Sequence, residues 1–299
     1  MDDILAPRFI DPVAARKHLE ALRWPNGAEC PHCNLINATP IKGGRDGLYQ
    51  CNACREQFTV TVGTVFERSK VALNKWLLCN HLLCSSKKGM SAHQIHRMLG
   101  VTYKTAWFMC HRLREAMKPT NPGPMGGHGM TVEADETFVG GKKRNRASGK
   151  TAKKQMVMTL VERGGEARSF HVASVHGNTL RSVLATNVHR SSSLMTDDYP
   201  GYWTVGKEFA SHGRTVHSRH EYVVGDKHSN TAENFFSIFK RGVIGTYHHM
   251  SSAHLHRYCA EFDFRYNSKG ENDRVRADLN LAQIGGKRLT YRRTDKLAA

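Results

Sequence analysis

Three acids stand out in a chain that is poor in acids. Asp135 lies in Thr131-Val-Glu-Ala-Asp-Glu-Thr-Phe-Val139, a strand-like run that also carries acids at 133 and 136. Asp197 lies in Leu194-Met-Thr-Asp-Asp-Tyr-Pro-Gly-Tyr202, and Glu233 in Ser229-Asn-Thr-Ala-Glu-Asn-Phe-Phe-Ser-Ile-Phe-Lys-Arg241. Hard carboxylate oxygens suit magnesium or manganese. Two such ions about 3.5–4 Å apart can activate an attacking oxygen and hold a leaving one, which is what phosphodiester chemistry requires. Two alternatives stand beside this reading. Asp198 adjoins Asp197 and could be the ligand instead, although Asp197 directly follows the strand. Glu233 also fits the third residue of a capping box opened by Asn230, a purely structural role.

A second set of residues points to a different metal. Cys30-Pro-His-Cys33 and Cys51-Asn-Ala-Cys54 are two C-x2-C pairs with 17 residues between them. Each pair can turn its thiolates toward one point, and two pairs complete a tetrahedral shell for one structural zinc. His32 lies inside the first pair and is surplus once four thiolates close the site. Cys79, Cys84, Cys110 and Cys259 fall in apolar helical contexts and read as buried structural residues.

The elements that position these groups follow from periodicity and punctuation. Residues 11–23 read as a short helix opened by Pro12, and 57–65 as a strand or hairpin. Residues 71–84 and 91–117 carry helical spacing of apolar residues. In the latter, Ser91 caps a helix whose Ile95, Met98 and Leu99 face inward, Gly100 allows a left-handed turn, and a second helix starts at Thr102 or Tyr103. That is a helix-turn-helix layout, with Lys104, Thr105, Phe108, His111 and Arg112 as candidate DNA-facing residues and Lys87, Lys88 and Lys118 as phosphate contacts. The run Asn121-Pro-Gly-Pro-Met-Gly-Gly-His-Gly129 reads as a linker. Beyond it, 131–139, 155–161, 167–175 and 193–196 read as strands, and 178–188, 231–241 and 251–266 as helices. Strands followed by a helical end give an α/β or α+β class.

Charge names the partner. The 299 residues hold 44 Lys and Arg against 26 Asp and Glu, a net charge of +18, with a pI near 9.7. Such a balance favours a polyanion, and nucleic acid first. Seven basic residues and no acid occupy 140–154, where Lys142, Lys143, Arg144 and Arg146 would meet DNA phosphates beside the first acidic strand. His248 and His249 read as surface or DNA-contacting residues. No window approaches 18 apolar residues and the start is acidic, so neither a membrane span nor a secretory signal is expected.

The acids with their neighbours resemble a known group. Asp135, Asp197 and Glu233, with 61 and then 35 residues between them, resemble the DDE triad of transposases with a ribonuclease-H-like fold. Lys240, seven residues after Glu233, resembles the basic residue that follows the third acid in bacterial insertion-sequence transposases. Arg23-Trp-Pro-Asn-Gly before the first cysteine pair, Asp135-Glu-Thr-Phe-Val-Gly-Gly, Asn230-Thr-Ala-Glu-Asn-Phe-Phe and Phe262-Asp-Phe-Arg-Tyr-Asn267 are similar to the group that places a zinc ribbon ahead of the DDE domain. The resemblance implies cleavage at insertion-sequence ends and strand transfer into target DNA, with two Mg2+ or Mn2+ ions held by Asp135, Asp197 and Glu233, and Lys240 beside them. It implies double-stranded DNA as partner, a homodimer or higher oligomer on DNA, and a cytoplasmic, nucleoid-associated place of action. The domains expected are a short helix plus zinc ribbon (1–62), a helix-turn-helix-like segment (63–120), a linker (121–129), a ribonuclease-H-like catalytic domain (130–270) and a basic tail (271–299). The rival reading is a non-catalytic zinc-ribbon DNA-binding regulator.

Overall fold

The computed structural model describes residues 4–140, 154–215 and 229–290. Its contacts divide into two compact units, Met1–Pro119 with Glu271–Ala299, and Thr120–Gly270. In the first unit, α1 (Pro7–Ile10) leads into α2 (Pro12–Arg23). Asp11 caps α2 by accepting from the backbone N–H groups of Val13 and Ala14, both at 3.0 Å. Three short antiparallel strands follow in the order β1 (Ala38–Pro40), β2 (Tyr49–Cys51) and β3 (Gln57–Phe58). Trp24 packs edge-on against Tyr49 and Phe58, at 5.4 and 5.7 Å between ring centres.

The strand expected over 57–65 stops at Phe58. Beyond it the chain turns, with Val62 N–H donating to Thr59 and Thr64 N–H to Thr61. Gly63 at φ 69° makes the reversal there. Three helices follow: α3 (Leu73–Ser85), α4 (Ala92–Leu99) and α5 (Tyr103–Ala116). Ser91 caps α4 through Gln94 N–H, Gly100 sits in the left-handed region, and Thr102 caps α5 through Thr105 N–H. Ile95 and Leu99 are buried as expected, but Met98 is 51% exposed and faces outward.

The second unit is built on a five-stranded sheet of β4 (Thr131–Val139), β5 (Gln155–Glu162), β6 (Ala167–Val172), β7 (Ser193–Asp197) and β8 (Ser211–Thr215). The spatial order is β6-β5-β4-β7-β8; β4, β5 and β6 are antiparallel, and β4, β7 and β8 parallel. This is the ribonuclease-H-like order. Strand alternation sorts two cores. Val132, Ala134, Met158 and Leu194 pack with Leu180 and Leu184 of α6 (Gly177–Asn187). Val139, Val157 and Val161 pack on the opposite face with Phe235, Phe236 and Phe239 of α7 (Asn230–Gly242) and Cys259 and Phe262 of α8 (Leu255–Asn267). The 121–129 stretch does not act as a free linker throughout, because Met125 is buried in the α6 core and bridges to Val188.

The Phe262–Asn267 motif has a structural use. Strand β6 is an edge, and α8 ties to it. Asp263 accepts from Ser169 N–H at 2.8 Å and from its hydroxyl at 2.6 Å, while Asn267 accepts from Ala167 N–H and donates to Ala167 C=O. These bonds satisfy groups that an open edge would leave bare. Burial lifts the Asp263 carboxyl to about 7, against the pull of both Ser169 donors. An unfolded chain ionises this group near 4. Folding therefore binds an extra proton between about pH 4 and 7, and stability contributed here declines as pH rises through that window. Between about pH 5 and 7 the neutral variant Asp263→Asn should gain on the wild type by on the order of 2 kcal/mol in urea titrations. A difference that stays constant with pH would refute this.

After the second unit the chain returns to the first. The segment 271–299, expected as a basic tail, contains α9 (Asp273–Ala282), capped by Asn272. Asn80 of α3 donates to Ala277 C=O at 2.8 Å and accepts from Asn280 at 2.6 Å, and His18 of α2 meets Asp278 at 2.9 Å. Buried Ala277 and Leu281 complete the contact, so charge on its outer face hid a packing helix.

Candidate active site and zinc centre

Strand register brings two of the predicted acids together. Glu133 of β4 lies opposite Met195 of β7, where their parallel pairing ends. Two residues further along each strand stand Asp135 and Asp197. They share the α7-facing side, because Val132 and Leu194 share the other. Beyond residue 133, β4 and β7 part, while β7 stays paired to β8 as far as Asp197. Into this opening also comes Glu136 from the opposite face of β4. One carboxylate oxygen each from Asp135, Glu136 and Asp197 lies within 4.8 Å of the others. Asp198 turns away to Arg214, 3.4 Å from its guanidinium.

Burial and like charge act together on the cluster. Burial raises the Asp135 carboxyl to about 6; the Glu136 N–H, 2.7 Å from its Oδ1, opposes this, and the charges of Asp197 and Glu233 reinforce it. Burial likewise raises Glu136 to about 7, with Asp197 and Asp135 adding to the effect. Crowded carboxylates that resist ionisation are relieved by a divalent cation, and their hard oxygens fit Mg2+ or Mn2+.

Glu233 and Lys240 occupy the exposed side of α7, seven residues or two turns apart. Glu233 is not within the 4.8 Å group. Both nonetheless act on Asp135, Glu233 raising its pKa and Lys240 lowering it. The capping-box alternative does not hold: the N-cap is Ser229, with no side-chain cap bond, and its hydroxyl meets Glu233 only at 3.5 Å.

All four predicted zinc ligands converge. The sulfurs of Cys30, Cys33, Cys51 and Cys54 lie within 4.8 Å of one another, with Cys30–Cys54 and Cys33–Cys51 at 3.6 Å. A tetrahedron with Zn–S bonds of about 2.3 Å puts its sulfurs about 3.8 Å apart, so the cage fits zinc. The two knuckles match. Asn34 N–H donates to Cys30 C=O and Arg55 N–H to Cys51 C=O, and both residues take positive φ, 60° and 65°. The Cys54 N–H, 3.5 Å from the Cys51 sulfur, heads the causes that lower that thiol to about 6. His32 stands outside the cage.

The predicted DNA-facing residues divide. Lys104 is exposed at the first turn of α5, whereas Arg112 is 8% exposed and donates to Glu67 C=O. The guanidinium of Arg112 stacks over Phe108, and His111 is also buried. The second helix therefore offers its first turn, not its whole length. Arg68, Lys70, Lys104, Thr105 and Phe108 line one concave surface, in which Arg68 and Lys70 were not anticipated. Lys142, Lys143, Arg144 and Arg146 lie outside the described residues. Two acids also had no assigned role in the sequence, Glu133 and Glu136. The available signal was parity: 133 and 135 share a strand face.

Comparison with known proteins agrees with this geometry. Residues 125–267 match the ISXO2-like transposase domain, and residues 11–57 match a transposase zinc-ribbon domain. The chain is 29% identical, over 86% of its own length and 91% of the relative's, to an uncharacterised protein in the transposable element ISH50 of Halobacterium salinarum.

Proposed function

We propose that the chain, a transposase with a zinc ribbon followed by an ISXO2-like DDE domain, cuts insertion-sequence ends and joins them to target DNA at the Asp135–Asp197 cleft. The observation that carries this is the convergence of those two carboxylates where β4 and β7 part. Mg2+ or Mn2+ bound there would supply an activated attacking oxygen and stabilise the leaving one. Asp135 and Asp197 are the fixed ligands, set by strand register. Glu233 is the third, carried on α7, and Lys240, two turns further along the same face, is placed to meet a phosphate. Glu136 adds negative charge from behind and so strengthens the demand for a cation.

Zinc in the ribbon is structural, one ion per chain, since four thiolates leave no open position. Double-stranded DNA is the partner, as element ends and as target, with Lys104, Arg68 and Lys70 as contacts in the first unit. Lys142, Lys143, Arg144 and Arg146 are assigned the phosphates near the cleft. The chain is proposed to work as a homodimer or higher oligomer, because two ends must be joined to one target. Among the described residues no helix is long and apolar enough to cross a membrane, and the nucleoid is the proposed place of action.

The test is a labelled element end incubated with protein and Mg2+ or Mn2+. Nicking at the end, followed by joining to a second duplex, is the expected result. Binding without cutting under either metal would transfer the chain to the regulator reading.

A further inference from the structure

Helix α7 carries two functional residues, yet its own start is poorly secured. Its N-cap Ser229 makes no side-chain cap bond, so the first N–H groups need acceptors from elsewhere. They find one 98 residues upstream. Glu133 is fully buried in β4, on the strand that bears Asp135. Its Oε2 accepts from the N–H groups of Thr231 and Ala232 at 2.8 and 3.0 Å. Its Oε1 accepts from the Thr231 hydroxyl at 3.0 Å and from Arg163 Nε at 2.7 Å.

We propose that Glu133 is a positioning residue of the reaction, clamping the N-terminus of α7 to the catalytic strand so that Glu233 is held over Asp135. The carboxylate replaces the missing cap and lies at the positive end of the helix dipole. Arg163 supplies the balancing charge for a group with no access to water. Along β4, Glu133 is two residues from Asp135; along α7, its partners Thr231 and Ala232 immediately precede Glu233. One side chain thereby fixes the distance between two of the three acids, and a displacement of about 1 Å in such a group can lower a rate by about 100-fold. Buried acids seldom occur without partners, and both oxygens of this one accept from the helix start or Arg163.

The proposal rests on Glu233 being the third acid, so the experiment separates the two ideas. Glu133→Gln keeps size but cannot accept from four donors. Full-length Glu133→Gln should bind element ends with unchanged Kd and cut them 10- to 100-fold more slowly. Amide hydrogen exchange at Thr231 and Ala232 should accelerate, and the milder Thr231→Val should give a smaller loss of cutting. The deciding measurement is a double-mutant cycle: on a Glu233→Gln background, Glu133→Gln should add little further loss. Losses that multiply fully, or unchanged exchange at Thr231 and Ala232, would overturn the proposal. If Glu233→Gln alone cuts like wild type, the third-acid assignment fails, while accelerated exchange in Glu133→Gln still supports the clamp on α7. Should Glu133→Gln not fold, Thr231→Val carries the same cycle.

Discussion

Asp135→Asn and Asp197→Asn should each lower Mg2+- or Mn2+-dependent nicking by several orders of magnitude while leaving DNA affinity intact or tighter. Both acids sit where two strands part, and either substitution takes a negative oxygen from the proposed ligand set, on whose ions the attacking and leaving oxygens would both depend. Affinity moves the other way, because a carboxylate beside a phosphate repels it. Glu233→Ala should also suppress nicking, and its position on a helix, outside the tight group of strand acids, predicts a smaller loss than at Asp135. Asp198→Asn is the internal control: its carboxylate is turned to Arg214, so cutting should persist. Metal binding followed by calorimetry or by Mn2+ spin resonance provides a second readout. Nicking that survives Asp135→Asn, or that disappears in Asp198→Asn while Asp197→Asn remains active, would reassign the site.

How much of this was readable in the sequence depends on the range of the interaction. The zinc cage was readable because its ligands come as two local knuckles, each closed by its own backbone bonds. Strands β4, β5, β6 and β7 read as strands in the sequence, β4 and β5 with several Val and Thr residues each, and the caps of α4 and α5 announced themselves by Ser91, Gly100 and Thr102. What was hidden is tertiary. Strand β8, Ser-His-Gly-Arg-Thr, has no apolar run and earns its place by pairing with β7. Helix α9 reads as a charged tail until Asn80 and His18 are seen to receive it. Arg112 shares a helix with exposed Lys104, but the carbonyl it serves lies 45 residues upstream. Glu136 belongs to the wrong face by strand alternation and reaches the cleft only because β4 and β7 separate. The proposed third acid shows the same limit: Glu233 is visible as a residue, while the start of its helix is bonded to Glu133, nearly a hundred positions upstream.

Removing zinc should unfold the ribbon while leaving the catalytic unit folded. Between Trp24 and Phe58 the aromatic packing amounts to one small cluster, Trp24 with Tyr49 and Phe58, on strands of two or three residues. So little apolar burial cannot offset the conformational entropy of ordering the segment. Zinc binding to four thiolates contributes about 10–16 kcal/mol in isolated finger peptides, enough to decide whether such a segment is ordered. Cys51 is the informative position, since backbone N–H groups already favour its thiolate. Purified protein should contain about one zinc per chain; Cys51→Ser should lose it and become open to protease between the knuckles. Cys259→Ala is the matched control. Its sulfur is fully buried in the second unit and burial holds the thiol well above its usual range, so zinc content should not change. The five-stranded sheet has cores on both faces that contain no ribbon residue, so hydrogen exchange in β4 and β5 should remain slow after chelation. Full zinc retention in Cys51→Ser would remove that cysteine from the cage, and loss of protection in β4 along with the ribbon would show that the two units fold as one.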